Sequence, residues 1–115
     1  MQTPQAITAL AALAQETRLA LFRLLVQAGP EGLPASRIAG QLGIAPSLLS
    51  FHVRELLQAG LVIQKRAGRF LLYSANFDAM NGLLGYLTDN CCGGNPCSPV
   101  SAACDDQACQ PPSGK

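Results

Sequence analysis

Five cysteines lie close together near the end of a chain that has none elsewhere. All five fall within the last 25 of 115 residues. Thiolates are soft ligands, and three that converge on one point suit a thiophilic centre such as trivalent arsenic or antimony. The segment "NCCGGNPC", residues 90–97, is flexible enough at its glycines to fold back on itself. The sequence predicts a three-thiol site from Cys91, Cys92 and Cys97, with Cys104 and Cys109 as possible further ligands.

Two other chemistries for these thiols stay open. Zn²⁺ or Cd²⁺ requires a fourth ligand, which Cys104 or Cys109 could supply, although the C-x-x-C spacing of ordinary structural zinc sites is absent. Oxidation is the other alternative, because exposed thiols act as redox sensors when basic groups favour the thiolate. No basic residue lies within "NCCGGNPC". A disulfide between the neighbours Cys91 and Cys92 would be strained. We therefore rank metalloid binding first, a soft divalent metal second and redox sensing third.

The composition indicates a globular domain in front of these thiols. Apolar residues make up 49% of the chain and charged residues 13%, which suits one core of ordinary size. Charged residues interrupt every apolar run before it reaches the length of a bilayer. The N-terminal segment "MQTPQAITALAALAQ" lacks the basic start and processing site of a signal peptide. We expect a cytoplasmic protein with no membrane partner.

The hydrophobic pattern predicts four helices, a β-hairpin and a last helix. We place helices at about 4–14, 16–28 and 34–43 and from Pro46 to Gly60. A hairpin follows in "LVIQKRAGRFLLYSA", and a helix capped by Asn76 carries Met80, Leu83, Leu84 and Leu87 on one side. This order predicts a mainly α fold with a β-hairpin wing, that is, a winged helix-turn-helix. Residues 1–90 form this domain, and residues 91–115 form a flexible tail, because Gly, Pro, Ser and Asp are too frequent there for packing.

The fourth helix carries the candidate DNA-reading residues. Its early and middle turns would meet base edges and phosphates in a major groove. Alternatively, Ser47 merely caps a surface helix and Arg54 bonds Gln58. We assign Leu49, Val53, Leu56 and Leu57 to the core, and the single histidine to a structural or phosphate-contacting role rather than to metal ligation. The DNA-binding candidates on this helix are Ser47, Leu48, Ser50, Phe51, His52 and Arg54.

The hairpin adds a basic patch to a chain of nearly neutral charge. The net charge is only +1, and residues 1–90 carry +2. Three cations fall in "KRAGR", so Lys65, Arg66 and Arg69 could follow a phosphate backbone or enter a minor groove. A solvated turn is the alternative. We expect Phe70 and Tyr73 to pack the hairpin on the domain.

Three segments resemble the ArsR (ArsR/SmtB) family of metal-responsive repressors. They are "LAQETRLALFRLL", "IAPSLLSFHVRELLQAGLV" and "RAGRFLLYSAN", and the resemblance covers about residues 7–88. It implies a homodimer formed by the first and last helices, bound to an inverted-repeat operator on double-stranded DNA and released by an inducer.

The inducer site departs from one pattern of that family and is similar to another. Arsenic sensors of the family often carry a C-x-C pair at the start of the third helix, where this chain reads "GLPASRIAG" without a thiol. A variant of the family carries its thiols after the last helix, and "NCCGGNPC" resembles that site at Cys91, Cys92 and Cys97. We therefore expect a repressor, not an enzyme, that responds to As(III) or Sb(III). A repressor responsive to zinc, cadmium or thiol oxidation is the alternative. An arsenate reductase would need an anion-binding loop beside a reactive cysteine, which is absent.

Overall fold

The computed structural model describes residues 1–90, of which residues 1–83 form one compact unit and residues 84–90 belong to a second. The predicted tail at 91–115, with all five cysteines, lies outside the described residues and stays a prediction. The described part contains five helices and one antiparallel sheet of three strands. In chain order the elements are α1 Thr3–Leu13, α2 Glu16–Ala28, β1 Leu33–Pro34, α3 Ala35–Leu42, α4 Pro46–Gln58, β2 Val62–Ala67, β3 Phe70–Ala75 and α5 Phe77–Leu87.

The winged helix-turn-helix predicted from the sequence is confirmed, and α2 has the predicted bounds. Gln15 precedes α2 in extended backbone, and its side-chain Oε1 accepts a hydrogen bond of 2.8 Å from the backbone N–H of Arg18. This bond satisfies one of the N–H groups that have no partner within a helix. Gly29, at a φ of 89°, ends α2. Helix α1 begins and ends one residue earlier than predicted.

A left-handed glycine joins the two helices of the helix-turn-helix. Gly43 ends α3 at φ 69° and ψ 35°, a conformation that costs any other L-residue free energy. The backbone N–H groups of Gly43 and Ile44 both donate to the Ala39 carbonyl, at 2.8 and 3.2 Å. Helix α4 then begins at Pro46, whose fixed φ and missing N–H suit a first helical turn. The abrupt turn sets the direction of α4.

The sheet contains one strand that the sequence analysis missed. Leu33 and Pro34 form β1 and pair with Tyr73 and Leu72 of β3, so the strand order is β1-β3-β2. Gly32 precedes β1 at a φ of 79°, and a Cβ atom there would lie 2.7 Å from the Tyr73 carbonyl oxygen. Only glycine allows this approach of β1 to β3.

Strands β2 and β3 form the predicted hairpin and pair along their whole length. The last pair is Ala67 with Phe70, so the turn residues are Gly68 and Arg69, one position later than the predicted Ala67 and Gly68. Gly68 has a φ of 64° and Arg69 is not left-handed, as in a type II′ turn, whose twist matches that of the strands.

The core lies between the helices and the base of the hairpin. Leu57, predicted in the core, is only half-buried. Tyr73 is half-buried, but 66% of the Phe70 surface is exposed, so the prediction that Phe70 packs on the domain is wrong. Its position beside the turn, beyond the reach of the helices, explains the exposure. The largest fully buried apolar side chains are Leu21, Leu25, Ile38, Leu49, Leu56 and Leu61.

Asn76 connects the hairpin to α5, as the sequence predicted. Its Oδ1 accepts a hydrogen bond of 3.2 Å from the Ala79 N–H, and its Nδ2 donates to the Gly60 carbonyl at 2.9 Å. On α5, Leu83 is buried whereas Leu87 is 54% exposed. None of the helices within residues 1–90 has the length and apolar character that a membrane crossing requires.

Candidate nucleic-acid interface

Helix α4 presents one exposed and one buried face. The buried face carries Leu49, Val53 and Leu56, at the spacing of one side of a helix. The backbone N–H of Leu49 donates to the Ala45 carbonyl, which closes the first turn. Five of the six residues predicted on this helix to bind DNA are exposed together on the opposite face. They are Ser47, Leu48, Ser50, Phe51 and Arg54.

Ser47 does not cap α4, so the alternative in which it serves only as a cap is wrong. The residue in the cap position is Ala45, in extended backbone, and no side chain bonds the first turn. The Ser47 hydroxyl therefore stands at the exposed start of the helix, the part of a recognition helix that contacts base edges in helix-turn-helix proteins.

The three basic residues of the wing do not share one direction. Neighbouring strand residues point to opposite faces, so Lys65 and Arg66 of β2 lie on different sides of the hairpin. The Lys65 ammonium donates to the Pro30 carbonyl at 3.1 Å, in the loop before β1. All three cations are exposed, and Arg69 occupies the turn itself. The hairpin therefore presents its basic groups on both sides and at the tip.

Arg66 lies on the side of the hairpin that faces α4. Gln64 is two residues from Arg66 on β2 and therefore points to the same side, and Tyr73 of β3 points there too because it pairs with Gln64. Gln64 and Tyr73 line a groove of about 240 Å³ whose other wall includes Ser50 and Arg54 of α4. The groove between helix and wing is thus lined by the Arg54 guanidinium, and Arg66 lies on the same side of the hairpin as the groove, an arrangement that attracts a phosphate backbone.

His52 is the exception among the predicted contacts of α4. Only 5% of its surface is exposed, so the structural role fits and a phosphate contact does not. An Arg18 guanidinium nitrogen lies 3.5 Å from His52 Nδ1. Because a guanidinium only donates hydrogen bonds, this contact suits a neutral ring whose Nδ1 carries no proton. Burial lowers the pKa of His52, the Arg18 charge lowers it further, and Glu55 opposes the shift. The ring is therefore held neutral.

Arg18 joins three helices, and the sequence analysis did not identify it. It belongs to α2, its Nε donates to the Ala12 carbonyl near the end of α1 at 2.7 Å, and it approaches His52 of α4. A guanidinium can do this because its donors diverge in a fixed plane. The spacing of 34 residues between Arg18 and His52 gives no signal in the sequence.

Apolar side chains remain exposed on the helices at both ends of the described chain. On α1, Ile7 is 61% exposed and Leu10 is also exposed, and Leu19 adds to them from α2. On α5, Leu87 is exposed. Large exposed apolar groups are typical of surfaces that associate with another protein.

The predicted metalloid ligands cannot be placed, because Cys91, Cys92, Cys97, Cys104 and Cys109 lie outside the described residues. Within residues 1–90, no group of three or more His, Cys, Asp or Glu side chains is arranged to hold a metal ion. The three-thiol site stays a prediction.

Comparison with known proteins agrees with this architecture. A family model described as a helix-turn-helix domain matches residues 13–64. The nodulation protein NolR of Rhizobium meliloti is 32% identical over 80 residues, which are 70% of this chain and 63% of NolR, so the chain spans less than two thirds of that relative.

Two solved structures are similar over most of their length. An ArsR-like transcriptional regulator from Rhodococcus sp. RHA1 superposes with a TM-score of 0.66 at 27% identity, covering 73% of this chain and 76% of its own. The homodimeric winged helix-turn-helix DNA-binding domain Mb0332 from Mycobacterium bovis, a possible ArsR-family regulator, superposes with a TM-score of 0.61 at 27% identity. That match covers 76% of this chain and 81% of the Mb0332 fragment.

Proposed function

Because the chain belongs to the ArsR family of DNA-binding transcriptional regulators, we propose that it is a repressor that leaves its operator when As(III) or Sb(III) binds its C-terminal thiols. The observation that carries the proposal is the position of the thiols. All five cysteines follow a helix-turn-helix domain that has none, and the first stands four residues after the end of α5.

The operator would be an inverted repeat bound by a homodimer. The exposed face of α4, with Arg54 at its centre, suits a major groove, and the groove between α4 and the wing suits the adjacent phosphates. Dimerisation through α1 and α5 is supported by the exposure of Ile7, Leu10 and Leu87. The similar domain from Mycobacterium bovis is homodimeric. Two copies of α4 would then enter successive major grooves about 34 Å apart.

The inducer reaction needs no change of oxidation state. Arsenous acid would form three As–S bonds with Cys91, Cys92 and Cys97, and three hydroxide groups would leave as water with the three thiol protons. The closed site would draw the chain after α5 into a fixed conformation and bias the dimer against its DNA-bound arrangement. A difference of about 1–3 kcal/mol between the two arrangements is sufficient for such a switch.

Two other inducers use the same residues. Zn²⁺ or Cd²⁺ would take four thiolates, with Cys104 or Cys109 as the fourth, and an oxidant would join two of the thiols in a disulfide. Three soft thiolates with no basic neighbour in "NCCGGNPC" favour the trivalent metalloid.

The test is a titration of the protein–operator complex with arsenite. The reduced full chain is bound to a fluorescent duplex from its own promoter, and the anisotropy is followed for wild type, Cys92→Ser and Cys109→Ser. We expect at least a tenfold loss of operator affinity in wild type and Cys109→Ser, and none in Cys92→Ser. Equal affinities of the free and arsenite-treated wild type would refute the proposal. Release by Zn²⁺ or by an oxidant, but not by arsenite, would assign one of the other inducers.

A further inference from the structure

Two large apolar side chains stand exposed on the face of α4 that the proposed function places in the major groove. Leu48 and Phe51 are each 46% exposed, and both belong to the N-terminal half of the helix. Residues three apart on a helix lie side by side, so the two form one apolar strip. Apolar surface that stays in water is unfavourable in free energy, and no contact within residues 1–90 removes this strip from water.

The polar groups beside this strip are few. On the same exposed face, Ser47 and Ser50 carry short hydroxyl groups, and Arg54 is the only long hydrogen-bonding side chain in the first nine residues of α4. Arginine suits guanine, and serine bonds bases without strong preference. Hydrogen bonds to base edges can therefore account for only a small part of any sequence preference.

The Phe51 ring has an aromatic contact before any ligand arrives. It meets the His52 ring edge to face, with centroids 5.2 Å apart and planes at 63°. His52 is in turn buried and lies against Arg18. A contact of this kind favours one orientation of the exposed ring and so reduces the conformational entropy lost on binding.

The C5 methyl group of thymine is the apolar group that a base pair presents in the major groove. We propose that Leu48 and Phe51 bind thymine methyl groups, so that each operator half-site carries one or more thymines facing the N-terminal half of α4. The inference rests on the proposed DNA binding and names the base chemistry that the protein prefers. The exposed Arg54 guanidinium beside the strip favours DNA as its occupant over an apolar protein surface.

The experiment replaces thymine by uracil, which removes the methyl group and changes no hydrogen-bonding group. A preferred site is first selected by the wild-type chain from a random duplex pool. Each thymine of that site is then exchanged for uracil, singly and in symmetric pairs, and the dissociation constants are measured by anisotropy. We expect one or two positions per half-site where uracil weakens binding about fourfold for each buried methyl group.

Protein variants connect the methyl effect to the two residues. At the sensitive positions, Phe51→Ala or Leu48→Ala should reduce the ratio of the dissociation constants for the uracil and thymine duplexes to about one. Phe70→Ala removes an aromatic ring that is more exposed than Phe51 and lies outside α4, and it should keep the fourfold ratio. Because the uracil exchange is made in the DNA, the wild-type result does not depend on the folding of any variant.

The outcomes separate this inference from the proposed function. Failure of the wild-type chain to select any sequence or bind any duplex would contradict DNA regulation itself. Sequence-specific binding that tolerates uracil at every position would overturn only the thymine readout. A uracil effect that survives in both Leu48→Ala and Phe51→Ala would also overturn it, because another group would then contact the methyl.

Discussion

Replacing Arg18 by methionine tests whether this residue holds α1 and α4 to α2. The change keeps an unbranched chain that fills similar space but removes every donor of the guanidinium. It breaks the 2.7 Å bond from Nε to the Ala12 carbonyl and removes the positive charge beside His52 Nδ1. The surrounding packing should change little, so the effect isolates the polar contacts.

The expected loss in the free energy of unfolding is about 2 kcal/mol. A hydrogen bond with a charged partner contributes about 1.5–3 kcal/mol, and this one is short and partly buried. The bond also satisfies the Ala12 carbonyl, which lies in the last turn of α1, where carbonyl groups have no N–H partner within the helix. The contact with His52, at 3.5 Å, is too long to add much.

Urea unfolding at one protein concentration provides the measurement, and Arg23→Met provides the matched control. Arg23 lies on the same helix but is exposed, so its replacement should change stability by less than about 0.5 kcal/mol. The chain has a single histidine, so its NMR titration is unambiguous. Loss of the Arg18 charge should raise the pKa of His52, while burial, the larger cause, keeps it below its ordinary value. Equal stability of the two variants, or an unchanged pKa, would refute the assigned role of Arg18.

Three further predictions concern other parts of the domain. Gly43→Ala should cost about 1–2 kcal/mol of unfolding free energy, because its left-handed backbone is strained for alanine but a Cβ there meets open space. Gly32→Ala should cost more, since its Cβ would lie 2.7 Å from a β3 carbonyl oxygen, and equal costs in urea unfolding would contradict the packing of β1. Arg66→Ala and Arg69→Ala should each lower the slope of log affinity for DNA against log salt concentration by about one, whereas an unchanged slope would exclude a phosphate contact. Because the folded state lowers the pKa of His52 from 6.5, its contribution to the unfolding free energy should be constant well above that pH and fall as the pH drops through and below it. Urea unfolding of wild type and His52→Gln between pH 5 and 7.5 would show this, and a slope that persists in the variant would assign it to another group.

The local pattern was sufficient to predict the helices and the hairpin. Helix α2 and the cap at Asn76 follow from short-range signals, namely apolar spacing and a capping side chain. The exposed residues of α4 were predictable for the same reason, because Leu49, Val53 and Leu56 share one helical face and mark it as the buried one.

The contacts that the sequence did not indicate are those between distant segments. Strand β1 has two residues and exists only through its pairing with β3. The contact of Arg18 with His52 joins residues 34 apart. The prediction that Phe70 is covered failed because the residue lies beside the turn of the hairpin, and the local pattern does not tell how far the helices reach along the strands. Such features depend on tertiary packing, which no local pattern encodes.

The order of the sheet gives the basic wing a consequence for solubility. With the order β1-β3-β2, β2 is one of the two outer strands of the sheet within residues 1–90 and the longer of them, and its unpaired edge offers backbone groups to an extended chain. Lys65 and Arg66 sit in the middle of that strand, where charge discourages edge-to-edge pairing. The same residues that would attract DNA thus also protect the monomer from aggregation. A variant that neutralises both should precipitate at concentrations where either single variant stays in solution.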